Sequence, residues 1–201
     1  FNRINLIIPH MTKLIVGLGN PGKEYNQTRH NVGFAALLDL AKSLNLQDEF
    51  STNKKIHSLA LKGKVGRKQF VMILPQTFMN DSGTAVQAAL NFLKLTPKDL
   101  LVIHDDKDIP FGETRLQTNR GPAGHNGVRS IIERLGTEDF TRIRIGVGPI
   151  PTNSGQPTPT PPKRGINIAD FVLGKFTKEE LAELESIFEH VTSDVKTWLA
   201  S

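Results

Sequence analysis

The chain has no cysteine, and among its 201 residues only one tryptophan and one tyrosine. Without cysteine there are no disulfides and no thiolate metal sites, a composition that fits a reducing compartment. A domain near this size buries roughly 70% of the surface its unfolded chain exposes, so it needs neither device to hold a core. Six histidines are present, but none forms a His-x-x-x-His pair, and no zinc motif is seen. No apolar run approaches the ~20 residues needed to span a bilayer. A G-x-S-x-G elbow is also missing, which argues against a serine esterase.

Charge is present in a lopsided way. The formal net charge is +5 and the sequence pI is about 9.5. Ser51 to Lys98 holds eight Lys or Arg and one acid, Asp81, whereas Lys178 to Ser201 holds six acids and two Lys. This distribution suggests one basic face suited to an anionic partner and an acidic C-terminal helix turned elsewhere.

Apolar patterning gives alternating strands and helices. KLIVGL (13–18), Ile56–Leu61, Gln69–Leu74, DLLVIH (99–104), Gly112–Gln117 and RIRIGV (142–147) read as strands, with Lys62–Lys68 as a basic turn. Val32–Leu44 has helical spacing, and Ser82 is expected to cap a helix bearing Ala85, Val86, Ala89, Leu90 and Leu93. Val128, Ile131, Ile132 and Leu135 share a helix face that Gly136 ends. Ile168–Leu173 reads as a short helix, and Thr177-x-x-Glu180 is a capping box before a last helix. The class is therefore α/β: a single domain over residues 11–201, with a twisted mixed, largely parallel sheet flanked by helices. Residues 1–10 read as an appendage, a tag or leader remnant. Residues 149–164, with six prolines, read as an exposed loop insertion within the domain.

Gly17-Leu18-Gly19-Asn20-Pro21-Gly22 satisfies the dinucleotide fingerprint G-x-G-x-x-G after a strand. Its context does not. The fingerprint should run into a helix, but KEYNQTRHN follows, which is polar and lacks helical spacing. The acid expected ~20 residues on would be Asp39, inside the first helical pattern. A nucleotide-dependent oxidoreductase is thus disfavoured. Read otherwise, the strand end delivers Asn20, which offers both an acceptor and a donor, into a crevice.

Asn20 has company. Four clusters of polar residues sit beside glycines or strand ends: GLGNPGKEYNQTRHNVG (17–33), PQTFMNDSG (75–83), HDDKDIP (104–110) and GPAGHNG (121–127). In their order and spacing they resemble the bacterial-type peptidyl-tRNA hydrolase family, from Lys13 to about Leu199. N-P-G-x-x-Y-x-x-T-R-H-N is the most specific of these motifs. The resemblance implies hydrolysis of the ester joining a peptide to the 3′-terminal ribose of tRNA, which recycles tRNA from aborted translation without metal or cofactor. It implies His30 as the catalytic residue, Asp105 as its supporting carboxylate and Asn20 as a third member. Asn80 and Asn126 then line the site, Tyr25 and Met79 shape it, and His125 stands beside it; by their own chemistry Phe78 and Met79 would supply adaptable apolar contact. In the family a basic pair clamps a terminal phosphate of the tRNA. Arg144 matches its arginine, Gln117 stands where a lysine or arginine is usual, and Arg115 and Arg120 are the substitutes.

Elementary chemistry agrees with these roles. Water is a poor nucleophile at neutral pH, and histidine, with an unperturbed pKa of ~6.5, can take its proton. A carboxylate on the other ring nitrogen fixes the tautomer. Asparagine amides can donate to an oxyanion or hold a peptide main chain, and the sequence leaves open which asparagine does which. The rival on the same scaffold is a non-catalytic RNA-binding protein, as in relatives that act in intron splicing. By the same resemblance, the chain is expected to be a monomer acting in the cytoplasm, with an organelle left open.

Overall fold

In the computed structural model, residues 12–149 and 168–201 are described. The appendage (1–10) and nearly all of the proline-rich segment (149–164) lie outside the described residues. Seven strands form one sheet in the order β2-β3-β4-β1-β5-β7-β6. β1 (Thr12–Gly17), β4 (Lys68–Pro75), β5 (Leu100–Pro110) and β7 (Thr141–Gly148) form a parallel centre. β2 (Ser51–Asn53), β3 (Ser58–Val65) and β6 (Thr114–Thr118) add antiparallel edges.

The central strands are nearly continuous runs of Leu, Ile and Val because both sheet faces are covered. α1 (Val32–Ser43) and α5 (Lys178–Ala200) cover one face, where Ile15, Leu37, Leu101, Ile103, Ile143 and Val191 share a core. α2 (Ser82–Leu93) and α3 (Asn126–Leu135) cover the other, over Leu14, Val16, Ile73, Val102 and Ile131. α5 buries Leu184, Phe188, Val191, Val195 and Leu199 at helical spacing. Each such side chain contributes ~1.5–3 kcal/mol by leaving water.

The sequence pattern finds most elements, but β2 was not among those expected, Ile56 lies in a 3₁₀ turn before β3, and β5 runs past His104 to Pro110. β3 runs on to Val65, so the basic turn shrinks to Gly66–Arg67. Ser82 does not cap α2. A 3₁₀ turn over Met79–Asp81 comes first, Asp81 occupies the cap, and the Ser82 hydroxyl donates back to the Met79 carbonyl at 2.9 Å. The glycine motif also behaves as its context suggested. A short 3₁₀ turn, Lys23–Tyr25, follows it, and α1 begins only at Val32.

α1 sits hard against the sheet. A Cβ on Gly33 would lie 2.4 Å from the Ile103 carbonyl oxygen and 2.6 Å from that of Leu18, so only glycine fits. This close approach presses the segment just before α1 onto the ends of β1 and β5. α1 carries the chain to one side of β1 on one face, and α2 carries it back to β5 on the other. The crevice at the carboxyl ends of β1 and β5 is where open α/β sheets place ligands.

Candidate active site

A cavity of about 480 Å³ occupies that crevice. Each segment lining it follows from the fold. Asn20 comes just after β1, and Phe78 to Asn80 follow β4. Asp105 to Lys107 belong to β5 beyond its pairing with β1, which stops at Ile103. Ala123 to Asn126 lead into α3, and Val172 and Leu173 close α4 (Ile168–Leu173).

Two histidines converge on one carboxylate oxygen. His30 Nδ1 and His125 Nε2 each lie 2.9 Å from Oδ1 of Asp105. His125 is the N-cap of α3, and its Nδ1 accepts the backbone N–H groups of Gly127 and Val128, at 3.1 and 3.3 Å. A ring nitrogen that accepts carries no proton, so the neutral ring's proton sits on Nε2 and is donated to Asp105. The spacing of His30, Asp105 and His125 is compatible with a three-ligand metal cluster. The α3 cap works against one, because it puts a proton on the His125 atom that a metal would need.

Asp105 is buried. Burial works to raise its pKa, but His30 and His125 together hold it below the usual carboxylate range, so it is ionised. For His30, burial works to lower the pKa, and the charge and hydrogen bond of Asp105 outweigh it, leaving the ring above the ordinary histidine value. With Nδ1 facing Asp105, the neutral ring carries its lone pair on Nε2.

Asn20 is held by backbone and side chain alike. Its N–H donates to Asn31 Oδ1, and its carbonyl accepts from Asn31 Nδ2, both at 2.9 Å. Its own Oδ1 accepts the Met79 N–H at 2.7 Å. That bond fixes the amide's orientation and leaves Nδ2 as its unused donor. Met79 is buried, whereas Phe78, Asn80 and Asn126 are exposed at the rim.

The segment bearing His30 is anchored from the far end of the chain. Arg29 is buried, with Nη2 2.9 and 2.7 Å from the two Glu180 carboxylate oxygens and Nη1 2.9 Å from the Lys175 carbonyl. The Arg29 N–H donates to Gly174, and Phe176 donates to Gln27. Glu180 also accepts from the Thr177 N–H, completing the capping box at the start of α5.

Several expected residues stand elsewhere. Tyr25 is half-buried and does not line the cavity. Nor do the three arginines assigned to phosphate. Arg144 is buried, with Nε and Nη2 at 2.8 and 2.7 Å from Asp106 Oδ2 and Nη1 on Gln117. Its guanidinium is therefore committed inside the protein, and Gln117 completes its cage. Arg115 is exposed beside Glu113 and Arg120 is exposed, its carbonyl accepting from buried Arg142.

Sequence reading missed Arg29, Asn31 and His104. His104 is fully buried, donates through Nδ1 to the Asp105 carbonyl at 2.7 Å, and meets the His125 ring edge-on at 4.7 Å. Burial, helped by His125, pushes it well below the ordinary histidine value, so it adds no charge. A histidine preceding Asp105 on an apolar strand was the signal for it. Nothing in the sequence marks Arg29 and Glu180 as partners.

The sequence profile described as "Peptidyl-tRNA hydrolase" matches residues 14–201. A peptidyl-tRNA hydrolase of Parasynechococcus marenigrum is 40% identical over 184 residues, covering 92% of this chain and 86% of the relative. That of Desulfitobacterium hafniense is 41% identical over 186 residues, covering 92% of both. The crystal structure of peptidyl-tRNA hydrolase from Acinetobacter baumannii superposes with a TM-score of 0.81 at 34% identity, covering 96% of this chain and 91% of that one.

Proposed function

This chain belongs to the peptidyl-tRNA hydrolase family, and we propose that it cleaves the ester between peptide and tRNA, with His30 activating the attacking water. The carrying observation is His30 Nδ1 on the ionised Asp105, in a cavity that also holds the fixed amide of Asn20.

His30 Nδ1–H points at Asp105, so Nε2 takes a proton from water as the water oxygen bonds to the ester carbonyl carbon. The imidazolium that forms is stabilised by the Asp105 charge. Negative charge moves onto the carbonyl oxygen, and Asn20 Nδ2 is the donor held ready for it. A donor fixed in advance needs no reorganisation during the reaction. The tetrahedral intermediate then collapses. The bond to the ribose 3′-oxygen breaks, and that oxygen leaves with the proton from His30. Asn80 and Asn126 at the rim hold peptide main chain, and Phe78 and Leu173 offer adaptable apolar surface without selecting a side chain.

The exposed Arg115 and Arg120 meet phosphates of the acceptor end, and buried Arg144 acts through its pair with Asp106. The chain acts as a monomer in the cytoplasm, and no helix among the described residues is long and apolar enough to cross a membrane.

Release of peptide from N-acylated aminoacyl-tRNA tests this reading. His30→Ala and Asp105→Asn are expected to lower kcat by ~10²–10⁴-fold, the range of a positioned base. Rates equal to the wild type in both variants would sink the mechanism. An unaltered chain that binds tRNA without turnover would indicate the splicing-type binding protein.

A further inference from the structure

Among the described residues, Lys107 is the only lysine or arginine that lines the cavity. Local backbone puts it there. Asp105, Asp106 and Lys107 all line the cavity, although successive residues of a regular strand alternate between faces. The pairing of β5 with β7 shifts register between Asp106 and Pro110, a bulge of the kind that re-aims side chains. β7 accommodates it with glycine. A Cβ on Gly148 would lie 2.2 Å from the Lys107 carbonyl oxygen.

The other charges around Lys107 are already committed. Asp105 serves the two histidines, and Asp106 serves Arg144 and the Asp108 N–H. Lys107 Nζ meets Asp108 Oδ1 at 2.6 Å, and that aspartate is more than half exposed. Exposed pairs of this sort contribute only ~0–1 kcal/mol, so the ammonium is released cheaply to a better partner. Arg144 lies deeper but cannot take its place, since its guanidinium is caged by Asp106 and Gln117.

Given the hydrolase reading, on which this inference rests, the ester-bearing nucleotide carries its own 5′-phosphate on the same ribose as the ester. We propose that Lys107 binds that phosphate, and so makes the site select nucleotide esters over other esters. A compact ammonium on a flexible stem suits a phosphate point charge and reads no base. The interaction therefore serves every substrate ending in a nucleotide.

The test compares two small substrates that differ by one group: an N-acetylaminoacyl ester on the 3′-oxygen of adenosine, and the same ester on adenosine 5′-monophosphate. The unaltered chain is expected to favour the phosphorylated ester about tenfold in kcat/KM, as one charge-assisted hydrogen bond allows. In Lys107→Met that preference should fall to near one, chiefly through KM of the phosphorylated ester. Lys107→Arg should retain most of it, and thermal unfolding checks that both variants fold. An undiminished preference in Lys107→Met, or equal losses on both esters, would overturn the proposal. No preference in an unaltered chain that still releases peptide from N-acylated aminoacyl-tRNA would overturn it alone. No peptide release from that tRNA substrate would overturn the hydrolase reading first, and the Lys107 role with it.

Discussion

His30 and His125 meet on one atom, Oδ1 of Asp105, each at 2.9 Å. One carboxylate oxygen thus divides its charge between a ring proposed to exchange a proton and a ring locked in one tautomer. The cap of α3 makes the distinction, because two backbone N–H groups occupy the second nitrogen of His125 and leave the second nitrogen of His30 uncommitted.

Replacing His125 should separate two roles. His125→Ala loses the α3 cap and one donor to Asp105. Stability is expected to fall by ~1 kcal/mol, as for other N-cap losses. His125→Asn should retain much of that stability, since asparagine caps well. In both, the Asp105 charge bears more fully on His30, so the acid limb of kcat/KM should move to higher pH. Denaturant unfolding and pH–rate profiles read the two effects. A stability loss with an unmoved limb would leave His125 as a cap alone.

The pH dependence has a definite sign. The His30 pKa is raised, and the proposed mechanism needs the unprotonated ring. In the unaltered chain kcat/KM should fall on the acid side with a midpoint above the ordinary ~6.5. In Asp105→Asn the raising influences go and burial remains, so the limb should move to lower pH while the plateau drops. Identical limbs would remove His30 as the titrating base. Stability runs the other way. The His30 contribution is full below its unfolded value and is lost as pH rises through the raised folded value. Alkaline conditions therefore favour the chemistry while giving up this part of the stability.

Buried Arg29 pairs with half-buried Glu180, and removing the glutamate leaves the buried guanidinium stranded. Glu180→Ala is expected to destabilise by ~3–5 kcal/mol. It should also lower kcat, because Arg29 immediately precedes His30. Wild-type unfolding with wild-type turnover would show that the other backbone hydrogen bonds of the segment suffice.

Arg144 and the exposed arginines should respond differently. Arg144→Ala leaves Asp106 buried without its pair, with an expected loss of ~3–5 kcal/mol. Arg115→Ala and Arg120→Ala should leave stability near wild type and raise KM alike for all tRNAs. Each should also lower the log–log salt slope by ~0.7–0.9 for every phosphate no longer neutralised. Should Arg144→Ala unfold normally and raise KM alone, Arg144 would be a direct phosphate ligand.

Local signals were the legible ones. The β1 run, the α3 face ended by Gly136, and the Thr177–Glu180 box all write their structure within a few residues. The α2 cap was misplaced because the 3₁₀ turn at Met79–Asp81 holds Asn20 through the Met79 N–H, and the helix waits until that turn is complete. The motifs pointed to the contact of Asp105 with His30, yet most of the wiring around that pair was not legible. Asn31 beneath Asn20, His104 against His125, and Glu180 on Arg29 join separate segments or opposite side chains, which no spacing records. Arg144 shows the limit from the other side. Its motif position suggested a phosphate, while Asp106 and Gln117 across neighbouring strands determine what its guanidinium touches.

The span of 151 positions between Arg29 and Glu180 also sets an order of events in time. While it is being made, the chain is itself a peptide esterified to tRNA, the kind of molecule its site is shaped to cut. The loop bearing His30 gains its anchor only when the start of α5 has been synthesised and has docked, and domains fold as units as they emerge from synthesis. An unfinished copy holds His30 and Asp105 without the brace from Glu180, so this anchor is among the last contacts that synthesis makes available to the site.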